Sequence, residues 1–506
     1  MNIGYFIYRR HPILAVFSVK YYGTPMLFKK NKPSGSSRID LTKGPILKTL
    51  IKLAVPVTVS MVMFTVYLIV DLFFVGRLGP EAVAALSISS NAFFIHLGFS
   101  TVLGTGGMVL IAQAFGRRDY DQAADVFRQS ILLALIIGVM EAATGWLIAP
   151  AYIKFFGGTG QSLLWGIQYF QIFAVSFLFM IFLYTAGNCF RGMGDTKTPM
   201  IIMLQANLLN ILLDPILIFG RLGLPAMGVR GAALASLISQ IYALGVYGYL
   251  IFVKGSHIDL RGKWRLSAGI IRKSLSIGIP SGMNHFLLAA NLLITYRVIG
   301  KYGTAAIASI GIGFRILQAI YIPVIALASA MAAIVGQNYG AGNYERITDA
   351  FKRAWIISMV FMILCTFICR LFPEAIIGTF SSDSEVIHFG IIYLMIFSLG
   401  NVMVGTIMVA GAAFQGLGKT YPSLAGAVLD NALFAGLVFT LPAYFNWGIQ
   451  SIWWIKVTTA AIESLLVAVW LKGQLQRIRS RMSLVKNGPG LKLQGARNEN
   501  GKILSA

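Results

Sequence analysis

Charge is scarce in this chain. Only 12% of its 506 residues are Asp, Glu, Lys or Arg, and just 18 are acidic. A soluble domain is about a quarter charged, so a water-facing globular plan is excluded. Cysteine is nearly absent: Cys189, Cys365 and Cys369 are the whole set. They imply no disulfide framework, and no His or third Cys completes a metal-like cluster. There is no GxxxxGK[ST] loop. The glycine-rich stretches GTGGMV (104–109) and GQNYGAG (336–342) follow no strand, so nothing points to an ATPase. No nucleophile–base set or extramembrane domain suggests an enzyme, and no cofactor is expected.

Apolar length is what the chain has. It is 57% hydrophobic, with a mean hydropathy of +0.74. Twelve runs stand out, at roughly 46–75, 82–114, 127–149, 160–190, 198–219, 229–253, 274–299, 304–335, 353–372, 386–414, 421–443 and 448–471. Each is long enough to cross about 30 Å of hydrocarbon. There they must be helices, because every backbone polar group needs an internal partner. The 53 Gly and 34 Phe suit tightly packed transmembrane helices. The expectation is an all-α polytopic membrane protein in the plasma (inner) membrane.

The 42 Lys and Arg give a net charge of +24. They gather between the apolar runs, which marks cytoplasmic loops rather than a nucleic-acid surface. Anionic lipid headgroups are the expected electrostatic partner. Arg117, Arg118, Arg128, Arg191, Lys197, Lys352 and Arg353 lie on the even-loop side, as does the linker 254–273. Both termini are therefore expected in the cytoplasm. The chain divides into a basic segment 1–45, a first lobe 46–253, the basic linker 254–273, a second lobe 274–471 and a basic tail 472–506.

A shift of 224 (337 − 113) aligns the two halves. Pro56 falls on Pro280, Gly76 on Gly300 and Gly79 on Gly303. Gln113, Gly116 and Tyr120 fall on Gln337, Gly340 and Tyr344. Six spans per repeat return the chain to its starting side, so the repeats share one orientation. They are then related by a pseudo-two-fold axis along the membrane normal. Two six-helix bundles around a cleft is an alternating-access architecture.

Within YLIVDLFFVG (67–76), Asp71 interrupts an apolar run. It lies 18 residues past Leu53, about 27 Å along a helix. Asp214 lies 17 residues past Lys197 in span 5, about 26 Å along. The two carboxylates stand at matching depth, with Asn210 one turn before Asp214 on the same face. Buried like charges cannot both ionise cheaply and titrate as a unit. Such a pocket suits a proton or a sodium ion, and intramembrane carboxylates are functional by default. Pro56 removes one helix hydrogen bond below Asp71 and permits a bend. Asn284, His285 and Asn291 in span 7 are candidates to line the second lobe, with Asp430 in span 11. Lys456 and Glu463 are embedded in span 12, where Lys456 can pair with Asp430. Glu141 in span 3 reads as structural.

The stretches VDLFFVGRLGPEAVAALSI, IAQAFGRRDYDQA, FRGMGDTKTP, NLLNILLDPILIFG, IPSG and VGQNYGAGNYERI resemble the multidrug and toxic compound extrusion (MATE) family over about residues 40–475, most closely its DinF-like branch. The resemblance implies export of amphipathic, often cationic, organic compounds in exchange for protons or sodium. It maps a coupling site onto Asp71, Asn210 and Asp214, with Tyr169 a further member, and a bending proline onto Pro56. The asparagine that the family places in span 4 falls on Tyr184. Span 7 lacks the carboxylate that another branch uses for sodium, which places coupling in the first lobe. A monomer is expected. The alternative is a flippase for a lipid-linked precursor, whose cavity needs several inward cations; here Arg315 and Lys456 are the evident ones. Residues 1–25 read as dispensable, Met26 being an alternative start. A chain begun at Met26 should insert and melt as the full chain does; lower yield or melting temperature would refute that.

Overall fold

The computed structural model describes residues 39–255, 260, 262, 264–445 and 447–487, with backbone alone at 254, 255, 443 and 481–487. The expectations for residues 1–38, for Arg261 and Lys263 in the linker and for the tail beyond 487 lie outside the described residues.

Fifteen α-helices are described. In the first repeat they are α1 (Ile46–Gly76), α2 (Pro80–Ser90), α3 (Ala92–Arg117), α4 (Tyr120–Phe155), α5 (Gly160–Gly192), α6 (Lys197–Phe219) and α7 (Val229–Gly248). In the second they are α8 (Ala268–Ile299), α9 (Thr304–Gly340), α10 (Tyr344–Leu371), α11 (Pro373–Gly378), α12 (Ser384–Phe397), α13 (Asn401–Gly416), α14 (Tyr421–Phe445) and α15 (Gln450–Asn487). Together they form 12 spans long and apolar enough to cross a membrane, α2 and α3 making one and α12 and α13 another.

The helices outrun several hydropathic limits. The third span was expected over 127–149, yet α4 begins at Tyr120, where the Asp119 side chain accepts from the Gln122 amide. The ninth was expected over 353–372, yet α10 begins at Tyr344. Hydropathy reports where lipid begins, and at α4 the Asp119 cap starts the helix before that point.

The repeats interlock. Leu50, Leu53 and Ala54 of α1 sit in one apolar cluster with Leu327 to Val335 of α9. Val75, at the other end of α1, packs with Ala82, Tyr169 and Ile218 of its own repeat. Pro56 lies where the helix leaves the second repeat's core. The mate of α1, α8, packs its first half onto α3: a Cβ on Gly282 would stand 2.7 Å from the Gly98 carbonyl oxygen.

At the membrane face where α1 begins, two glutamines cross the seam in opposite directions. Gln113 donates to the Gly416 carbonyl (3.1 Å), and Gln337 donates to the Gly192 carbonyl (2.9 Å). Donors and acceptors are each 224 apart (337 − 113 and 416 − 192). Gly116 and Gly340 let these backbones touch, since a Cβ on either would collide with the carbonyl oxygen of Gln337 or Gln113. The segment before α1 straps across the same seam. Ile39 donates to the Gly194 carbonyl, Leu41 to Gln337 Oε1, and Asn338 and Arg346 donate to carbonyls of residues 41–44.

Gln337 thus holds both Gly192 and Leu41, whereas Gln113 holds Gly416. Leaving buried backbone groups unpaired costs about 1–3 kcal/mol. Gln337→Ala should therefore lower the melting temperature of the detergent-purified protein more than Gln113→Ala. The reverse order would contradict this accounting of bonds.

Candidate functional site

Asp71 faces inward although its helix borders the membrane. It is 4% exposed, while Ile69 and Phe73, two residues to either side, are 62% and 56% exposed. Tyr67, one turn earlier, shares its face. Across from them run α6, which packs on α1, and α7, which packs on α6. Asn210 and Asp214 of α6 are buried, as is Ser236 of α7.

These groups form a directed chain. The Tyr67 hydroxyl lies 2.9 Å from Ser236 Oγ. With the Asn210 amide nitrogen turned to Asp214 Oδ2 (3.3 Å), its oxygen accepts from the Ser236 hydroxyl (3.2 Å) and backbone amide (3.1 Å). Every donor then points toward Asp214. Asp71 is different: its Oδ1 is buried without a hydrogen-bond partner. A buried charge lacking a donor is costly, so Asp71 is the carboxyl that calls for a proton or a cation. Its charge also acts on Asp214. Tyr169 of α5 is 3% exposed and lies within electrostatic reach of Asp71, Asp214 and Tyr67.

Asp71, Asn210, Asp214 and Tyr169 are thus brought together. Tyr184 is not. It stands 15 residues beyond Tyr169 on α5, about 22 Å along the helix, and its hydroxyl lies 3.4 Å from Thr101 Oγ1. His285, a candidate to line the second lobe, is half-buried on α8 and reaches the first repeat, with Nε2 3.1 Å from the same Thr101 hydroxyl. Asn284 is half-buried with its Oδ1 unpartnered. Asn291 donates to Asn431 Oδ1 (3.2 Å), tying α8 to α14. Asp430 is paired with Lys456. Glu141 finds a partner in His96 of α3, at 2.9 Å, whose ring stacks 4.7 Å from Phe177.

Tyr67 and Ser236 are additions to the expected set. Tyr67 carried a signal, a polar group one turn from a buried acid. Ser236 carried none, because serine is ordinary in transmembrane helices. Among the described residues no group of three or more His, Cys, Asp or Glu is placed to hold a metal ion. The site offers two carboxyls, an amide oxygen and hydroxyls: enough for a proton or one bare monovalent ion.

Comparison with known proteins gives a consistent outcome. The family model MatE matches residues 56–216 and again 280–439, two matches whose starts are 224 apart (280 − 56). The chain is similar to a probable multidrug resistance protein NorM of Thermotoga maritima, 28% identical over 85% of this chain and 94% of that one. It is also similar to the multidrug export protein MepA of Staphylococcus aureus, 24% identical over 86% and 96%. A crystal structure of MATE in the bent conformation superposes with a TM-score of 0.82 at 25% identity, covering 88% of this chain and 98% of that one.

The directed chain fixes how its members share energy. Tyr67→Phe removes one bond, whereas Ser236→Ala removes that bond and the one to Asn210. At about 0.6 kcal/mol per bond in membrane proteins, Ser236→Ala should cost about twice as much as Tyr67→Phe. The double variant should match Ser236→Ala alone. Additive losses in a double-mutant cycle of unfolding free energies would show that the bond is not shared.

Proposed function

The chain belongs to the MatE family, and from that premise we propose that it exports amphipathic, often cationic, organic compounds in exchange for protons or sodium ions. It is a multi-pass membrane transporter of small molecules, not an enzyme. The observation that carries the reading is the partnerless, buried Asp71 Oδ1 beside the hydrogen-bonded Asp214. The lysines and arginines of the even loops orient both termini to the cytoplasm of a plasma-membrane protein. The reciprocal glutamines then tie the two repeats together on the cytoplasmic side.

The cycle follows from these placements. In the outward-facing form an entering proton or sodium ion reaches Asp71. Once neutral, Asp71 no longer favours the arrangement of α1 against α6 that its charge imposed. The loosely packed stretch of α1 above Pro56 bends, and affinity for the bound compound falls. The compound leaves outward, the lobes rock, and the ion is released inside. The gradient supplies about 2.3 kcal/mol per charge per 100 mV, plus its concentration term. The NorM and MepA relatives, which the names of those proteins tie to multidrug resistance and export, support the substrate class. The bent conformation recorded for a MATE structure supports a hinge. Membrane lipids surround a single working chain.

Flux of a cationic dye in proteoliposomes tests the reading. An imposed proton or sodium gradient should drive dye accumulation, and the effective gradient names the ion. Asp71→Asn should abolish driven flux, a loss of at least tenfold, with expression unchanged. Full flux in that variant would refute the assignment.

A further inference from the structure

The second repeat contains a buried ionic cluster that the cycle above does not use. Lys456 Nζ on α15 lies 2.5 Å from Asp430 Oδ2 on α14 and 5.2 Å from the centre of the Phe434 ring. Asp430 is 5% exposed, and its Oδ1 has no hydrogen-bond partner. Glu463, two turns beyond Lys456, is 7% exposed. It lies against Gly426, one turn before Asp430, where a Cβ would stand 3.3 Å from Glu463 Cγ. The absent side chain at 426 is what lets this carboxyl lie along α14.

The charges do not balance. Two carboxylates face one ammonium. Asp430 and Lys456 are the ionisable groups that act on Glu463 among the described residues. The other helices packed on α15 bring no compensating cation. α13 has no ionisable residue. α12 presents Tyr393 to Trp453 at 4.8 Å. On α10, Arg353 pairs with Asp349, Arg346 donates to the Gly44 and Lys43 carbonyls, Arg370 donates to the Met395 carbonyl, and Lys352 is exposed. An odd charge in hydrocarbon is costly, and one small cation relieves it.

Position points the same way. Gly228 and Gly448, which precede α7 and α15, are 220 apart, and Lys456 is 220 from Ser236. Lys456 therefore occupies in the second repeat the place that Ser236 holds in the first repeat's site. Asp430 corresponds to Asn207 (422 − 199 = 430 − 207). The seam between the fifth and sixth spans of each repeat thus carries a polar cluster, built from different residues.

We infer that Asp430, Lys456 and Glu463 form a second proton-binding site, in the second repeat, that takes up and releases one proton per transport cycle. Protonation of Glu463 leaves an Asp430–Lys456 ion pair and a neutral acid, which balances the cluster. The coupling to transport rests on the exchange reading above; the binding of the proton does not.

Infrared difference spectra of the purified full-length protein, recorded from mildly acidic to mildly alkaline pH, test the binding. The wild type should show two separable carboxyl titration steps. Glu463→Gln should remove one step and leave the step that Asp71→Asn removes. Glu463→Asp, which keeps a carboxyl, should retain the step with a shifted midpoint, and it serves if the glutamine variant fails to fold. In proteoliposomes, protons moved per dye molecule should fall by one in Glu463→Gln, with Asp71 intact. An unchanged set of carboxyl steps, or an unchanged proton-to-dye ratio, would overturn the inference. If the wild type moves dye without any ion gradient, the exchange reading fails instead, and the infrared steps still decide whether the second site exists.

Discussion

Hydrocarbon offers no hydrogen-bond partner, and that constraint governs where the polar groups of the described membrane spans sit. The 12 spans are helical because of it. It also explains why the few embedded ionisable groups occur in sets. His96 meets Glu141, Lys456 meets Asp430, and the hydroxyl and amide groups of Tyr67, Ser236 and Asn210 are aimed at Asp214. Against this background, buried carboxylate oxygens without a hydrogen-bond partner remain, among the described residues, on Asp71 and Glu141 in the first repeat and on Asp430 in the second.

The two repeats are alike where they touch and unlike where they could do chemistry. At the seam the matched pairs Gln113 and Gln337, Gly116 and Gly340, and Gly192 and Gly416 all serve the same contacts. A pseudo-two-fold interface needs self-complementary surfaces, so a change on one side burdens both. Away from the seam that restraint is absent. There the position matching Asp71 is Thr295, whose hydroxyl bonds its own helix at the Asn291 carbonyl. The likeness is the footprint of packing, and the difference is the footprint of function.

Much of this was legible in the sequence, for physical reasons. Twelve spans, the repeat and the depth match of Asp71 with Asp214 follow from hydropathy, a constant offset and the helical rise. The pairing of Asp430 with Lys456 was foreseeable because lone embedded charges seek partners. Other features depend on which helix faces which, and no local pattern encodes that. Ser236 is unremarkable until α7 is laid beside α6. His96 and Glu141 are 45 residues apart and meet only when α3 and α4 pack. Tyr184 was drawn toward the site by motif alignment, but the length of α5 carries it about 22 Å from Tyr169.

The double allegiance of α1 has a mechanical side. Its first turns are embedded in the second repeat's core, and the strap of residues 39–44 pins its start to both repeats. That end is an anchored root, and Pro56 is the natural fulcrum. Asp71 rides 15 residues above it (71 − 56), on a lever arm of about 22 Å. A bend of about 20°, the onset of a sharp kink, sweeps the tip of such an arm by about 8 Å. That displacement is more than twice the length of any hydrogen bond around it. A modest angle at a buried proline is therefore enough to carry one carboxyl wholly out of its pocket.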